Sequence, residues 1–293
     1  MRRRRFLALA AVALAAPASA LAVAPQEWRG QAMGADVMLR VHGADARQAR
    51  AFFAEAMRAL AHVESLFSLH RDSDLARLNR DGRLRFPAAA MRELLDLSGR
   101  LHRATGGAFD PTVQPLWLAR ARGGDEDAAR RLIGWRHVEW SGAEVRLTRP
   151  GMALTFNGIA QGWAADRLAG VAERHGLGDL MIDSGEFRAV GPRGWPMGIA
   201  DPAGAVLRRL ELRDRALATS SPMGTRIGPA GRGAHILDPA GGAARWGTVS
   251  VSAPSAALAD GLSTAICVMP PDRIGAALAQ LPGCRIELLS PPA

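Results

Sequence analysis

The spacing of hydrophobic residues along the chain predicts several amphipathic helices. Over residues 46–67 apolar side chains recur every three or four positions, which places them on one face of a helix. The same periodicity predicts helices over residues 91–107, 162–176 and 272–281. The apolar face of the first helix consists of Ala49, Phe52, Phe53, Ala56, Leu60, Val63 and Phe67.

Shorter runs between these helices predict β-strands, because they are rich in β-branched or alternating apolar residues. A hairpin is expected across Ser141-Gly142, in the segment "HVEWSGAEVRLT". The other strand-like runs are "ADVMLRVHG", "LMIDSG", "PMGIAD", "LRRLELR", "TVSVS" and "RIELLS". Helices and antiparallel-looking strands are mixed without a regular βαβ repeat, which favours an α+β fold.

The first 22 residues have the three parts of a secretory signal peptide. A basic start precedes a short apolar run and a small-residue site at Ala18-Ser19-Ala20. Arg3-Arg4-Arg5-Phe6-Leu7 also fits a twin-arginine start, although no Ser or Thr precedes it, so the general secretory route stays open. We expect residues 23–293 to form the mature, periplasmic protein. They fit one large domain or two closely joined lobes.

The charge and composition exclude several functions. The formal net charge is +9, and no lysine occurs, so apart from His every basic side chain is Arg. Without lysine there is no Schiff base and no Walker-type phosphate loop. Basic residues do not interleave with aromatics as in nucleic-acid-binding proteins, whereas arginines suit anionic phosphates. Cys267 and Cys284 either pair or remain free thiols, and their spacing does not suggest a zinc site.

The segment "APSAALADGLSTA", residues 253–265, places an acid among small apolar residues. Ser255 is expected to cap a helix, and Asp260 lies too far along to cap it. Asp260, Ser263 and Thr264 then share one helical face. A carboxylate beside hydroxyls suits a hard cation that prefers oxygen ligands, and the alternative is a polar stripe facing water.

Three other segments carry candidate chemistry. In "TGGAFDPTVQPLW" the glycines allow close backbone approach to a ligand, and Phe109 offers an aromatic face. "LTFNGIAQGWAADR" is expected to join a strand to a helix through Gly158 and Gly162, which makes its helix N-terminus a candidate phosphate site. "GRGAHILDPAGG" places His235 before a strand-like pair and a turn, where it is either a structural histidine or, if exposed near a phosphate, an acid or base.

Taken in order, these segments resemble the ApbE-type FAD:protein FMN transferase family. The resemblance covers roughly residues 31–268 and also includes "QAMGADVMLRV", "LFSLHRDSDLARLN", "MIDSGEFRAVG", "ALATSSP" and "VSVSAPSAALADGLSTAI". The segments "IDSGEFRAVG", "SSPMGTRIG" and "ADGLSTA" are most similar to the NosX branch, which is linked to NosR-type membrane proteins. The resemblance implies a single compact α+β domain, with mixed or antiparallel sheets, packed helices and a relation to the T-fold.

The resemblance also implies an activity and a partner. Such enzymes use Mg²⁺ to move FMN from FAD to a Thr or Ser hydroxyl of another protein, and AMP leaves. The acceptor implied here is an exported or membrane-bound electron-transfer protein of the NosR type. Two alternatives remain: a periplasmic module that binds flavin without transferring it, and an FAD pyrophosphatase.

Site residues follow from the resemblance position by position. Asp260 and Thr264 match the metal-binding pair, and Gly158 matches the backbone that completes the metal site. His235 matches the histidine expected to assist proton transfer or to steady the phosphate. The implied flavin contacts are Met33, His70, Gly107, Ala108, Phe109, Thr155, Gln161 and Ile236.

Some of these positions depart from the family pattern. His70 stands where many relatives have a stacking aromatic, and Gln161 stands where many have a lysine. Thr155 replaces a common aspartate in the predicted strand before the helix. "DSGE" replaces the usual G-G-D turn, so Asp183 and Glu186 are expected to take over its contacts.

Overall fold

The structure, a computed structural model, describes residues 24–292. The expected signal peptide therefore lies outside the described residues. No helix in the described part of the chain is both long enough and apolar enough to cross a membrane.

The described residues contain eight α-helices, two short 3-10 helices (Pro111–Val113 and Trp135–His137) and fourteen strands. The helices are α1 (Ala46–Phe67), α2 (Asp74–Asp81), α3 (Ala89–Ala104), α4 (Gln114–Arg122), α5 (Glu126–Arg130), α6 (Ala160–Arg174), α7 (Ala256–Ile266) and α8 (Pro271–Ala279). The strands are β1 (Gln26–Ala32), β2 (Ala35–Val41), β3 (Arg83–Arg85), β4 (Val138–Trp140), β5 (Glu144–Leu147), β6 (Leu180–Asp183), β7 (Phe187–Val190), β8 (Trp195–Ala200), β9 (Val206–Leu212), β10 (Ala216–Ser220), β11 (Arg226–Ile227), β12 (Gly233–Ala234), β13 (Thr248–Ala253) and β14 (Arg285–Ser290).

The central sheet has seven strands in the order β1-β2-β6-β7-β10-β13-β14, and neighbouring strands are antiparallel throughout. Alternate residues along a strand point to opposite faces. On one face, residues such as Leu180 and Ile182 join the main hydrophobic core with the helices. On the other, Met181 and Phe187 pack with Trp195 of the β8–β9 hairpin in a smaller core.

All four helices expected from periodicity are present, as α1, α3, α6 and α8. The helix over residues 46–67 has the predicted bounds, and its buried side chains include most of the predicted apolar face. Gly106 and Gly107 have left-handed φ values of 60° and 88° directly after α3, as its predicted C-terminal end requires. The hairpin across Ser141-Gly142 forms between β4 and β5.

The two cysteines are both free, so of the two alternatives for them the unpaired state is observed. Cys267 is buried at the end of α7, where burial raises the pKa of its thiol well above the usual value. A thiol held in its neutral form is unreactive. These cysteines are therefore part of the packing.

Candidate active site

Helices α6 and α7 pack so closely that each supplies a cap for the other. A Cβ at Gly162 would lie 2.3 Å from the carbonyl oxygen of Ala256, so only glycine permits this approach. Asp166, on α6, accepts hydrogen bonds of 2.8 and 3.0 Å from the amides of Ala256 and Ala257 at the start of α7. The N-terminus of α7 thus receives a carboxylate from α6 as well as its own cap, Ser255.

Asp260 provides the reciprocal cap. Its Oδ2 accepts a hydrogen bond of 3.1 Å from the amide of Gly162, in the first turn of α6. The residue before α6, Ile159, has no side chain able to cap it. Asp260 is therefore the carboxylate that meets the positive end of α6.

Burial of Asp260 decides between the two interpretations of its helical face. Asp260 is 3% exposed and Ser263 is fully buried, so the alternative of a polar stripe facing water is wrong. Burial, assisted by the nearby negative charge of Asp166, raises the pKa of Asp260 to about 7, although the amide of Gly162 opposes the shift. A buried carboxylate of this kind requires a proton or a cation.

Hydroxyl groups gather beside Asp260. Ser220, at the end of β10, shares a hydrogen bond of 2.8 Å with Ser263 and lies 3.3 Å from Thr264 Oγ1. Gly158 is in contact with the same side chain, because a Cβ there would lie 2.9 Å from Thr264 Oγ1. The residues expected to form a metal site, Asp260, Thr264 and Gly158, are thus brought together.

The donor set fits a hard cation better than a soft one. It offers a carboxylate, hydroxyls and backbone carbonyls, which are the ligands that Mg²⁺ and Ca²⁺ prefer. Within residues 24–292 no group of three or more His, Cys, Asp or Glu side chains has metal-binding geometry. A cation here would rely on Asp260, Thr264 and the backbone near Gly158, with water or phosphate oxygens as further ligands.

His235 is held by backbone carbonyl groups of the segment that follows β10. Its Nδ1 lies 2.9 Å from the carbonyl oxygen of Pro222 and 3.1 Å from that of Thr225. Since both partners are acceptors, Nδ1 carries the proton and Nε2 carries the lone pair. Burial lowers the pKa of His235, so the neutral form with a basic Nε2 dominates at neutral pH.

Pro222 follows Ser220 by two residues, which links His235 to the hydroxyl cluster. Ile236, the residue after His235, is half-buried. The expected strand over Ile236 and Leu237 is wrong: the strand there is β12, which ends at Ala234. The short β11–β12 pair positions His235 instead.

The glycine loop after α3 is fixed through the backbone of Phe109. The Phe109 amide donates a 3.0 Å hydrogen bond to Thr105 Oγ1, and its carbonyl oxygen lies 3.0 Å from His102 Nδ1. The ring itself is 5% exposed and packs in the main core, so the expected aromatic face is not offered to a ligand. Gly107 and Ala108 remain partly accessible.

The segment before α6 is extended but belongs to no sheet, so the expected strand there is wrong. The amide of Thr155 donates to the carbonyl oxygen of Pro111 at 2.9 Å, and this bond takes the place of strand pairing. Gln161 is half-buried and covers the turn before β7, since a Cβ at Gly185 would lie 2.6 Å from its amide nitrogen. Gly162 is the third residue of α6 and therefore does not belong to the segment that precedes this helix, where it was expected.

Met33 and His70 lie in two loops that share one anchor. The amide of Met33, whose φ is +52°, donates a 2.6 Å hydrogen bond to Glu64 Oε1. Arg71, next to the exposed His70, bonds the other carboxylate oxygen of Glu64 at 2.9 Å. Glu64 therefore holds both implied flavin-contact loops, and nothing in its helical spacing distinguished it from an ordinary surface acid.

The sequence profile of the ApbE family matches residues 33–287. The chain belongs to the ApbE family. The matched range begins at Met33 and includes every candidate site residue described above. The family expected from the sequence is confirmed.

Individual ApbE relatives support this assignment. A curated relative from Klebsiella pneumoniae (strain 342), named FAD:protein FMN transferase, is 28% identical over 280 residues, which cover 83% of this chain and 78% of the relative. The apo crystal structure of the flavinyl transferase ApbE from Pseudomonas stutzeri is 26% identical and superposes with a TM-score of 0.76, covering 90% of this chain and 89% of that one. The ApbE protein of Thermotoga maritima, at 24% identity and a TM-score of 0.78 over 90% of this chain and 94% of its own, confirms the α+β fold.

Within this ApbE fold, sequence reasoning missed four groups that shape the site: Gly162 as a hydrogen-bond donor, Asp166, Ser220 and Glu64. Asp166 and Gly162 lie about 90 or more residues from their partners on α7. One sequence cannot identify such pairs, because the distance along the chain between an acid and the start of a helix is not specific enough. Their role depends on how α6 and α7 pack.

Proposed function

We propose that this protein transfers FMN from FAD to a Thr or Ser hydroxyl of an exported or membrane-bound electron-transfer protein, with Mg²⁺ as cofactor and AMP as leaving group. The enzyme class, FAD:protein FMN transferase, is confirmed by the curated relatives. The observation that carries the finer proposal is the buried Asp260 and the half-buried Thr264 of α7, which lie beside the first turn of α6 and are linked through Ser220 to the strand end that positions His235.

Different residues of the candidate active site serve the charge neutralisation and the proton transfer of the phosphoryl-transfer reaction. Asp260, Thr264 and the backbone near Gly158 would hold a Mg²⁺ ion, which would supply charge neutralisation at the pyrophosphate. The acceptor hydroxyl oxygen forms a bond to the FMN phosphorus, and the bond from that phosphorus to the AMP phosphate oxygen breaks. Nε2 of His235 accepts the hydroxyl proton, because Nδ1 is already committed to two carbonyl oxygens.

Flavin recognition would come from several backbone segments. Gly107, Ala108 and the backbone of Phe109 form one side, and Met33 and His70 come from the loops anchored by Glu64. Thr155, Gln161 and Ile236 complete the set. Gln161 donates a hydrogen bond to phosphate without the charge of the lysine common in the family.

We propose a periplasmic setting and an acceptor of the NosR type. The signal-like residues 1–22 support export. The similarity of "IDSGEFRAVG" and "ADGLSTA" to the NosX branch supports the choice of acceptor.

The test uses the mature protein, FAD, Mg²⁺ and the soluble domain of a NosR-type protein. After denaturing electrophoresis we expect a fluorescent band at the mass of the acceptor, which disappears when one threonine is replaced. Release of AMP and FMN without a fluorescent band would make the protein an FAD pyrophosphatase. Bound flavin without any AMP would make it a flavin-binding module.

A further inference from the structure

A second buried carboxylate faces the same region as Asp260. Glu186 lies in the turn between β6 and β7 and is 7% exposed. Side chains at alternate positions here point to opposite faces of the sheet. Phe187 packs in the smaller core, whereas Arg188 reaches Asp166 on α6 at 3.9 Å, so Glu186 shares the helix-covered face.

Two contacts fix the position of this turn. The amide of Thr219 donates a 3.3 Å hydrogen bond to Glu186 Oε2, and the next residue, Ser220, bonds Ser263 and lies beside Thr264. On the other side, Ser184 Oγ donates to the carbonyl oxygen of Gln161 at 3.4 Å. The turn is therefore attached to β10 and to the first turn of α6, the two elements that border the candidate cation site.

The charges around Glu186 have one sign. The charged groups that act on it are Asp260 and Asp183, and with burial they raise its pKa well above the usual value. Across residues 24–292 neither Glu186 nor Asp260 forms an ion pair with an arginine or histidine. Two buried carboxylates without a positive partner are costly, and the fold keeps both.

Asp183 of the same turn has a different environment. It shares a face with Phe187 and the smaller core, and the charged groups that act on it are Arg29 of β1 and Asp36 of β2, in the same sheet. Of the two acids expected to replace the usual family turn, only Glu186 thus faces Asp260.

We propose that Glu186 is a second acidic residue of the cation site, which balances the cation's charge and orients its water ligands. This inference rests on the proposed function, since it concerns the Mg²⁺ expected at Asp260 and Thr264. Glu186 is a positioning residue: it acts on the cation and its waters and does not touch the reacting atoms. A water held between a bound cation and a nearby carboxylate strengthens cation binding.

The test measures cation binding without FAD. Mn²⁺ is titrated into the metal-free protein, and free Mn²⁺ is measured by electron paramagnetic resonance. Glu186→Gln keeps an acceptor for the Thr219 amide but removes the charge, and we expect the Kd for Mn²⁺ to rise about tenfold. Asp183→Asn, the matched loss of charge in the same turn, is expected to change the Kd by less than about twofold.

Thermal denaturation supplies a second readout. At pH 8 the metal-free Glu186→Gln variant should melt at a higher temperature than the wild type, because repulsion with Asp260 is relieved, and Mn²⁺ should stabilise it less. A purely structural role would lower the melting temperature of the metal-free variant and leave the Kd unchanged.

Each outcome of the Mn²⁺ titrations either supports or overturns the role of Glu186. A wild-type Kd in Glu186→Gln overturns the role of Glu186, while loss of binding in Asp260→Asn preserves the cation site. An equal rise in Kd for Asp183→Asn also overturns it, because the effect would then be long-range charge alone. If the wild type binds no Mn²⁺, both this inference and the metal dependence of the proposed function fail.

Discussion

The carboxylate of Asp260 accepts a 3.1 Å hydrogen bond from the amide of Gly162, a residue 98 positions earlier in the chain. This contact joins the middle of α7 to the first turn of α6. It uses one oxygen of the carboxylate and leaves the other for a cation. The same group therefore completes a helix terminus and provides the main negative charge of the candidate active site.

Replacing Asp260 by Asn should abolish most FMN transfer without unfolding the protein. The amide oxygen of Asn still accepts from Gly162, whereas the charge that binds a cation is lost, so we expect transfer to fall about 100-fold or more. The rate is measured as flavin fluorescence gained by the acceptor, and folding is checked by far-UV circular dichroism. Asp127→Asn, an exposed acid on α5, is the control and should retain the wild-type rate. Normal transfer by Asp260→Asn at low Mg²⁺ would remove Asp260 from the site.

The metal-free protein should lose stability as the pH rises. The pKa of Asp260 is raised from 3.8 to about 7, so the folded state holds this proton more tightly than the unfolded state. The stability that this group contributes is fully present below pH 3.8 and is lost as the pH rises through about 7. Between pH 4 and pH 8 we expect the melting temperature of the wild type to fall by about 5 °C relative to Asp260→Asn.

Mg²⁺ should reverse this difference at pH 8, because cation binding favours the ionised carboxylate. Differential scanning calorimetry of both proteins, each with and without Mg²⁺, measures the effect. Parallel melting curves for wild type and Asp260→Asn over the whole pH range would contradict the prediction.

His235→Gln should lower the rate of transfer much more than the affinity for FAD. Loss of a general base typically slows a reaction about 100- to 10,000-fold, whereas the flavin contacts are made by other residues. Single-turnover transfer and isothermal titration with FAD separate the two quantities. His62→Gln, on the exposed face of α1, is the control.

The pH profile provides a further check on His235. Burial lowers its pKa below the usual histidine value of 6.5, and the base acts only when neutral. Transfer should therefore remain constant near neutral pH and decline on acidification, with a midpoint below 6.5. An unchanged acidic limb in His235→Gln would assign that limb to another group.

Gly158→Ala should impair cation binding through Thr264. The new Cβ would lie 2.9 Å from Thr264 Oγ1 and 3.0 Å from its Cγ2, so this side chain must move. We expect the Kd for Mn²⁺ to rise about tenfold, as for other changes that displace metal ligands. Gly178→Ala is the matched control, since a Cβ there meets nothing within 4 Å. Equal affinities for the two variants would exclude contact between Gly158 and the cation site.

Glu64→Ala should weaken FAD binding while leaving the rate at saturating FAD unchanged. The Met33 amide loses the acceptor that holds its turn, and a lost hydrogen bond of this kind corresponds to an increase in Kd of about 3- to 10-fold. Arg71→Ala is the comparison: its side chain is 72% exposed, and an exposed ion pair contributes little. If Arg71→Ala matches Glu64→Ala, the ion pair rather than the Met33 turn controls the affinity.

Sequence patterns predicted those parts of the fold that depend on local spacing. The helix over residues 46–67 has the predicted bounds because its apolar face is continuous. The strand over residues 285–290 has the predicted bounds because it lies between Gly283 and Pro291. α4 was missed, since Pro115 and scattered apolar residues conceal its periodicity. β7 and β10 were missed because each is short and mixes polar with apolar positions.

Site residues were predictable only as individual positions. The resemblance selected Asp260, Thr264, Gly158 and His235, and the fold brings the first three into contact. The roles of Ser220 and Glu186 depend on sheet order, which places β7 beside β10 and β10 beneath α7. Neither the burial of the Phe109 ring nor the loss of the strand at Thr155 follows from local sequence, because both result from long-range packing.

The mutual capping of α6 and α7 also sets the order in which the enzyme can mature during translation. When only the chain through α6 has left the ribosome, the first turn of α6 has no carboxylate to meet its amides, and neither Asp260 nor Thr264 exists. Once α7 has emerged, Asp166 and Asp260 close the two helix ends together, so scaffold and chemistry become complete in one step. A chain that ends before residue 256 therefore lacks the carboxylate that meets α6 and, with it, two of the residues expected to hold the cation.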